Sequence, residues 1–503
     1  MPRTVTRISY LLTCVAIAAP SGCGRNRERI DPGSLDLVGS EVPAVTEAGE
    51  PPPREAASVH QEAFVVDLIQ DLVFRLRRDG WTLNSPEAHV NIDKLLLGGI
   101  DLLFSAISPE PGKDPALSLD EQFEQAESLV RDTGGRAVMV ASTDQARAER
   151  AAGRIPVMVL LEGADGLHRR LDELPRYARR GLKIVGLTGP RGSPFGDSAA
   201  QPGNPGGLTA AGSEIVTACR EQGLLVDLTH ASPALFWDVL VDQGSLVAVT
   251  HAACRSLRDH PRNLTDLQIL ALARSGGVMG LVFNPDLLVP GGGDADIADV
   301  LAHVKRVRDI DALAALALGT DFGGIRPPSG LTDVGSLPIL TEYLIKMGLS
   351  TDEIINFLGG NALRLLDAAE RRVEPSALGG RSPQRPIAID CDSVSGEVAE
   401  APATACDHDL LDNGPRLSPT GRIRLRLRDM QRIPERIEIF GEPGTPWQVE
   451  AQDLDGGILV RRVVALDERG RGSLPMPAGR NLTRIFLSPT RESTLREAVL
   501  WGR

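Results

Sequence analysis

Short apolar runs alternate with helical patterns along most of this chain, and that alternation constrains the fold more than any other feature. Eight runs stand out: Phe64–Asp71, Gly99–Ala106, Ile155–Gly163, Leu182–Gly189, Leu224–His230, Leu246–Ala252, Val278–Asn284 and Leu316–Gly323. Strands that alternate with helices form parallel sheets, and eight of them match a (β/α)8 barrel, which typically needs ~250 residues. We therefore predict a (β/α)8 barrel, with a doubly wound open sheet as the alternative.

Changes in composition mark the ends of this region. Residues 24–56 are rich in Pro, Glu and Gly without periodicity, which is typical of a disordered tether. The helical pattern ends near Arg371, and Pro, Ser, Gly and Arg dominate residues 373–386. We predict a barrel domain over residues 57–372 and a linker over residues 373–386.

Beyond the linker the pattern changes to short alternating runs separated by Gly and Pro, such as Ile423–Leu427 and Thr483–Leu487. Alternation with period two and no helices predicts a small antiparallel β domain, most simply a sandwich, over residues 387–503. Arg480–Gly502 loosely resembles the closing strands of galactose-binding-like sandwiches. A glycan-binding module and an appendage that only adds stability are both compatible with this domain.

The first 23 residues have the pattern of an export signal. A basic start precedes an apolar run over residues 8–20, which is too short to span a bilayer. Ser21-Gly22-Cys23 then resembles a bacterial lipoprotein processing site, with Cys23 as the residue that carries the lipid. We predict a protein of the bacterial cell envelope, anchored to the membrane by lipid. The alternative is an ordinary signal peptide and a periplasmic or secreted protein.

The charge of the chain restricts its partners. The formal net charge is -13, and no long run of Lys and Arg occurs, which argues against nucleic acid or an anionic membrane surface as the main partner. Small molecules or neutral polymers fit better, and a homodimer is left open. In an oxidising envelope Cys391 and Cys406 could form a disulfide, whereas Cys219 and Cys254 are expected to be buried.

Acidic and imidazole residues end five of the predicted strands: Asp71, Glu162, His230, His251 and Asp321. In a (β/α)8 barrel, side chains at the C-terminal ends of the strands face the mouth of the active site. A lone histidine there is usually structural, but carboxylates buried together are costly unless a cation or proton offsets them. Zinc accepts imidazole and carboxylate ligands and lowers the pKa of bound water to about 7. The pattern therefore predicts metal-assisted hydrolysis.

Seven segments resemble, in order, motifs of the membrane (renal) dipeptidase family: Leu161–Gly163, Asp227–His230, Val249–His251, His260–Asp266, Gly276–Gly280, Gly319–Phe322 and Gly359–Arg364. The resemblance covers roughly Val65 to Leu366. It implies a (β/α)8 barrel with a two-zinc site that hydrolyses dipeptides, in bacteria sometimes with a D-configured C-terminal residue.

The resemblance also implies roles for individual residues. Glu162 matches the carboxylate that bridges two zinc ions, and His230 and His251 match the remaining ligands of one ion. Asp71 matches the aspartate ligand of the other ion. Asp321 matches the catalytic carboxylate of the eighth strand.

Arg262 matches the guanidinium that receives the substrate carboxylate, a role that suits its bidentate geometry. Without the surrounding motif, a surface salt bridge would be the simpler interpretation of this arginine. The expected substrate is a small peptide.

Three departures from the family pattern bear on activity. The first strand of the family usually ends in His-x-Asp, but here Ile69 stands in place of the histidine. Neither Gln70 nor His60 is an obvious replacement ligand. Gly189 replaces a histidine after the fourth strand, and the segment after Asp321 lacks a second aspartate.

We therefore predict one firmly bound zinc ion, a second that is weak or absent, and metallodipeptidase activity. The alternative is a catalytically impaired barrel that acts as an envelope binding protein.

Overall fold

The structure is a computed structural model. It describes residues 54–110, 112–201, 206–242 and 247–371, together with most strand residues between 385 and 502. The predicted leader with Cys23, most of the tether and most of the linker lie outside the described residues. Among the helices that are described, none has the length and hydropathy needed to cross a bilayer.

The main sheet is parallel and closed. Its strands are β1 Val65–Gln70, β2 Ile100–Ile107, β3 Ala137–Met139, β4 Ile155–Leu161, β5 Leu182–Gly186, β6 Leu225–Asp227, β7 Val247–Ala252, β8 Val278–Leu281 and β9 Leu316–Leu318. Eight of them form a ring in the order β1-β2-β4-β5-β6-β7-β8-β9, and β9 pairs back to β1. The predicted barrel is confirmed, and an open sheet is excluded.

Strand β3 was not predicted from the sequence. It pairs with the first three residues of β4, whereas β2 pairs with β4 from Val157 onward. Three residues are too few to produce a periodic signal, which is why the sequence indicated eight strands and the sheet has nine.

Helices connect the strands and cover the barrel. They are α1 Arg54–Glu62, α2 Leu72–Asp79, α3 Ile92–Leu97, α4 Pro115–Arg131, α5 Thr143–Ala151, α6 Leu174–Arg179, α7 Ala210–Glu221, α8 Pro233–Asp242, α9 Asp266–Ser275, α10 Pro285–Leu288, α11 Ile297–Asp309, α12 Leu337–Lys346, α13 Thr351–Ile355 and α14 Asn361–Arg371. Helix α13 begins with the capping box of Ser350 and Glu353. Gly223 and Gly348 take left-handed φ angles just after α7 and α12, where only glycine is unstrained.

The barrel interior is a packed apolar core rather than a pore. Val66, Phe104, Met158 and Leu160 belong to this interior cluster and are essentially unexposed. Ile69 belongs to the same cluster and is 1% exposed. A second, larger cluster fills the space between the strands and the surrounding helices. Cys219 and Cys254 are buried and free, as expected.

The C-terminal part contains only β strands among its described residues. They are β10 Arg385–Ile387, β11 Ile389–Ser395, β12 Val398–Glu400, β13 Arg416–Leu417, β14 Arg422–Leu427, β15 Pro434–Gly441, β16 Pro446–Gln452, β17 Ile458–Ala465, β18 Arg471–Pro475, β19 Arg484–Pro489 and β20 Ser493–Gly502. They form two antiparallel sheets, one around β15 and β20 and one around β14, β19 and β16. Ile437, Ile439, Trp447, Val449 and Leu487 are fully buried there. The small all-β unit is confirmed, while its boundary, the Cys391 to Cys406 disulfide and glycan contact stay predictions.

Candidate metal centre

All five predicted site residues lie at the carboxyl ends of barrel strands. Asp71 and Glu162 directly follow β1 and β4, and His251 lies within β7. His230 and Asp321 each stand three residues beyond the end of β6 and β9. Because the strands are parallel, these five side chains share one end of the barrel.

The backbone is strained at two of these positions. His230 has a φ of 67° and Asp321 a φ of 61°, in the left-handed region that L residues rarely adopt. Such conformations cost about 1–3 kcal/mol each and persist where surrounding contacts hold them. Strain of this kind concentrates at functional sites, so it supports a functional role for both residues.

Glu162, His230 and His251 form a group with the geometry of a metal site. One ligand atom from each lies within 4.8 Å of the other two, and no other such group occurs in the part of the chain that the structure describes. The Nε2 atom of His230 is 3.0 Å from Oε1 of Glu162, and the two imidazole rings have centroids 5.6 Å apart. These are the three residues that the sequence predicted for one zinc ion.

The protonation states of this group suit a cation. Burial lowers the pKa of both imidazoles, and the nearby charge of Arg262 lowers it further, so both histidines are neutral near pH 7. Burial alone would raise the pKa of Glu162, but the hydrogen bond from His230, the charge of Arg262 and, at low pH where the imidazoles are protonated, the charges of His230 and His251 bring it to about 2. Neutral imidazoles and an ionised carboxylate are the forms that bind zinc.

Asp71 and Asp321 form an acidic pair beside Glu162. Burial, reinforced by the charge of Glu162, raises the pKa of Asp71 to about 7. Burial, then the charges of Asp71 and Glu162, raises the pKa of Asp321 well above its usual range. A Cβ atom at Gly324 would lie 2.5 Å from Oδ2 of Asp71 and 2.6 Å from Oδ1 of Asp321, so both carboxylates border one small space. A proton or a cation there would offset their repulsion.

Arg262 lies against the two histidines. Its Nη1 atom is 2.8 Å from each ring nitrogen of His230, and its Nη2 atom donates to the carbonyl oxygen of His251 over 3.0 Å. The side chain is partly buried and contacts the site rather than a surface carboxylate. This position is compatible with the predicted contact to a substrate carboxylate.

Two buried aspartates that are not among the predicted site residues hold the strand ends in place. Asp227 accepts hydrogen bonds from the amide and hydroxyl of Thr229 (3.0 and 2.7 Å) and from those of Thr250 (2.9 and 2.8 Å). Asp67 accepts from the amide and hydroxyl of Thr320 (3.0 and 2.6 Å). Each threonine directly precedes a site residue. The recurring pairs Thr-His, Thr-His and Thr-Asp were the sequence signal for this support.

His60 and Gln70, the two residues that could replace a histidine ligand at position 69, differ in their contacts. Both ring nitrogens of His60 are used, one with the hydroxyl of Thr341 (2.7 Å) and one with the carbonyl of Gly98 (2.9 Å), so His60 is structural. The amide nitrogen of Gln70 donates to Asp67 and Thr320, whereas its Oε1 atom is buried without a partner.

A cleft of about 1050 Å³ opens beside the centre. Residues that follow β1, β2, β4 and β5 line it, and it reaches the metal group at Glu162. The cleft gives a substrate access to the ends of these strands.

Comparison with known proteins agrees with this geometry. The family model described as membrane dipeptidase (peptidase family M19) matches residues 53–378. The chain belongs to this family. The M19 family is a family of metallopeptidases, so membership places the chain among the peptide hydrolases and implies a metal.

Individual relatives show the same correspondence. The chain is 28% identical over 299 residues to a protein named dipeptidase verJ from Clonostachys rogersoniana, covering 56% of this chain and 76% of the relative. The solved structure of dipeptidase AC, an M19 metallopeptidase, is 25% identical with a TM-score of 0.56, covering 61% of this chain and 98% of the other.

A metallopeptidase from Rhodobacter sphaeroides, solved with a phosphinate mimic of the dipeptide L-Ala-D-Ala, is 24% identical with a TM-score of 0.55. The match covers 60% of this chain and 98% of the Rhodobacter sphaeroides protein. At this level of identity, the similarity shows only that the two proteins share a fold.

Proposed function

We propose that this chain hydrolyses dipeptides using one zinc ion held by Glu162, His230 and His251. The convergence of the three donor atoms within 4.8 Å carries the proposal. Two neutral imidazoles and one carboxylate are a set that catalytic zinc sites use, and three protein ligands leave a fourth position for water or substrate.

The surrounding residues supply the rest of the chemistry. When bound, zinc provides a Lewis acid and a water of lowered pKa. Asp321 takes a proton from the attacking water and returns it to the leaving amine, and its raised carboxyl pKa favours holding that proton between the two steps. The water oxygen joins the carbonyl carbon as the C–N bond breaks. Arg262 pairs with the C-terminal carboxylate of the substrate.

A second zinc ion beside Asp71 is weak or absent in this proposal. Ile69 packs into the apolar interior of the barrel and offers no donor atom. Asp71 is not part of the three-residue group, so a second ion would rely on carboxylates and water. Affinity follows the number and type of ligands, and this set is the poorer one.

A second candidate function is binding without efficient catalysis. The same Ile69, together with Gly189 in place of a family histidine, favours it, because loss of a Lewis acid and of a polarising imidazole removes transition-state stabilisation. In that case the barrel would bind peptides at the envelope and turn them over slowly.

Zinc content and a panel of dipeptides distinguish these functions. Elemental analysis after dialysis is expected to give close to one zinc per chain. His230→Ala and His251→Ala should each abolish zinc binding and hydrolysis, while Asp71→Ala should leave the zinc content near one. His168→Ala, at a half-buried histidine outside the group, is the matched control. Two tightly held zinc ions in the unaltered protein would falsify the one-ion proposal and point to Gln70 as a replacement ligand. One zinc without measurable turnover would support the binding function.

We also propose that Cys23 is lipidated and holds the protein at the cell envelope. The leader pattern that ends in Ser21-Gly22-Cys23 supports this. Cys23→Ala should move the protein from the membrane fraction to the soluble fraction. Unchanged fractionation of that variant would contradict the anchor.

The domain boundary is proposed to lie within residues 373–386. Limited proteolysis should cut there first and release a stable barrel fragment. First cuts inside barrel strands would contradict the boundary.

A further inference from the structure

The cleft beside the metal centre is larger than a dipeptide needs. At about 1050 Å³ it reaches the upper end of the ~300–1,000 Å³ range of pockets that enclose drug-sized ligands. Phe74, Arg77 and Lys113, from the segments after β1 and β2, line it together with Glu162, Gly189 and Arg191, from the segments after β4 and β5.

Gly189 lines the cleft beside the residue that follows Glu162: a Cβ atom on Gly163 would lie 3.3 Å from the backbone nitrogen of Gly189, and the space at these residues is the opening toward the metal group. A Cβ atom built on Gly189 would meet no heavy atom within 4 Å, and its φ lies outside the left-handed region. A side chain would therefore fit without strain, so the fold does not require glycine here. Because no side chain is present, the space beside Glu162 continues into the cleft.

Most charges in the cleft are paired with each other. Arg77 contacts Glu110 and lies 3.7 Å from Glu121. Lys113 pairs with the same two carboxylates at 3.0 and 3.1 Å. This cluster of four is neutral as a whole, and Arg78 on the same side pairs with Asp79 at 3.1 Å.

Arg191 is the exception among these cations. Its side chain is exposed, and among the described residues it has no hydrogen bond or ion pair within 4.0 Å. Burial raises the pKa of Asp165 on the neighbouring wall, and the charges of His168 and Arg191 partly offset this, so the charge of Arg191 acts within the cleft. Arg191 is thus available to an anionic group.

The position of the cleft determines which part of a substrate enters it. Arg262 follows β7 and contacts both histidines, whereas the cleft is formed by residues after β1, β2, β4 and β5. Glu162 lies between them. A substrate with its C-terminal carboxylate on Arg262 would cross the metal group and extend its acyl side into the cleft.

We propose, resting on the proposed function, that the cleft is an acyl-side subsite for a group longer than one residue that ends in a carboxylate paired with Arg191. The reaction is unchanged: water adds to the carbonyl carbon, the C–N bond breaks, and the amine leaves with a proton. The preferred substrates are then N-acyl amino acids whose acyl part is extended and ends in a carboxylate, rather than simple dipeptides.

Three matched compounds test the subsite: Ala-Ala, acetyl-Ala-Ala and succinyl-Ala-Ala. The acetyl compound is extended and neutral at its acyl end, whereas the succinyl compound adds a carboxylate. In the unaltered enzyme kcat/KM for succinyl-Ala-Ala should exceed that for acetyl-Ala-Ala about tenfold or more. Arg191→Gln should reduce this ratio to about one, and Arg191→Lys should restore part of it. Arg131→Gln, at an exposed arginine at the far end of α4, should leave the ratio unchanged.

Gly189→His tests the opening separately. It should lower kcat/KM for both extended compounds relative to Ala-Ala at least tenfold, because the imidazole would fill the passage. Equal rates for the acetyl and succinyl compounds in the unaltered enzyme, or a ratio that Arg191→Gln does not change, would overturn the proposal.

Calorimetry of the zinc-loaded protein with the same compounds keeps this test independent of turnover. If none is hydrolysed but succinyl-Ala-Ala binds about tenfold more tightly than acetyl-Ala-Ala, the proposed catalysis fails and the subsite stands. If the acetyl and succinyl compounds are hydrolysed and bound equally well, the proposed catalysis stands and the subsite proposal fails.

Discussion

The Nε2 atom of His230 lies 3.0 Å from Oε1 of Glu162, although the two residues follow strands that are not neighbours in the barrel. Strand β5 separates β4 from β6 in the sheet, and the segment after β5 carries Gly189, which has no side chain. His251 on β7 completes the group. The candidate metal centre is therefore built on the β4, β6 and β7 side of the barrel mouth, and β1, on the opposite side, carries Ile69.

Ile69→His is expected to raise the zinc content from near one to near two per chain. The new imidazole would stand two residues before Asp71, as in the family pattern, and would complete a second ligand set with Glu162. Without zinc the variant should be less stable by about 2 kcal/mol, since a polar ring replaces a side chain of the apolar interior. Elemental analysis and chemical unfolding with and without chelator measure both effects.

Ile69→Met is the control for that change, because it has a similar volume and no nitrogen ligand. Its zinc content should stay near one. A single zinc in Ile69→His would show that the missing imidazole does not limit the second site.

Gly324→Ala is expected to lower activity at least tenfold, or about 1.4 kcal/mol in transition-state stabilisation, while the protein stays folded. The added methyl group would displace the carboxylates of Asp71 and Asp321, which are side-chain ends that can move. Zinc at Glu162, His230 and His251 should be retained. Gly293→Ala is the control, because a Cβ atom there meets nothing within 4 Å. Equal activity of the two variants would contradict a role for Asp321 in proton transfer.

The barrel and the candidate ligand group could be predicted because their signals are local. An apolar run that ends in an acidic or imidazole residue, as at Glu162 and His251, predicts a strand and also the functional side chain at its carboxyl end. The strand ends were predicted less accurately. The apolar run predicts strand as far as His230, whereas β6 ends at Asp227, because the chain turns there to bring His230 into a left-handed conformation.

The supporting contacts could not be predicted because they join distant residues. Asp67 and Thr320 are 253 positions apart, and only closure of the barrel brings β1 beside β9. Whether Arg191 is free to bind an anion likewise depends on which carboxylates of the cleft are already paired with other cations. The sequence alone does not indicate those pairs.

Asp227→Asn is expected to weaken zinc binding about 10–100-fold, the usual effect of losing a group that orients metal ligands. The amide would place a donor against Thr229 and Thr250, which both donate to Asp227 and directly precede the two histidines. Unfolding free energy should fall by about 2 kcal/mol, because buried donors lose their acceptor. Competition with a zinc chelator measures the affinity. Asp259→Asn, at an exposed carboxylate, should change neither quantity, and unaltered zinc affinity in Asp227→Asn would refute the orienting role.

His303 is expected to make the protein sensitive to acid. It is 1% exposed, accepts from the amide of Cys254 over 3.0 Å and donates to the carbonyl of Leu288 over 3.0 Å, which requires the neutral ring. Burial lowers its pKa to about 4, with the hydrogen bond to Leu288 opposing. Below pH 6.5, the ordinary histidine pKa, His303 is protonated in the unfolded chain, whereas in the folded chain it stays neutral down to about pH 4. The free energy of unfolding therefore falls as the pH is lowered from 6.5 to 4.

His303→Gln tests this sensitivity, because its amide can accept from Cys254 and donate to Leu288 without titrating. Between pH 7 and pH 5 the unaltered protein should lose about 2 kcal/mol more unfolding free energy than the variant does. Urea unfolding at the two pH values, with chelator present so that zinc binding does not contribute, measures the difference. His168→Gln, at a half-buried histidine, should follow the unaltered protein. Parallel losses in the unaltered protein and His303→Gln would mean that another group, such as the histidines of the metal centre, carries the acid sensitivity.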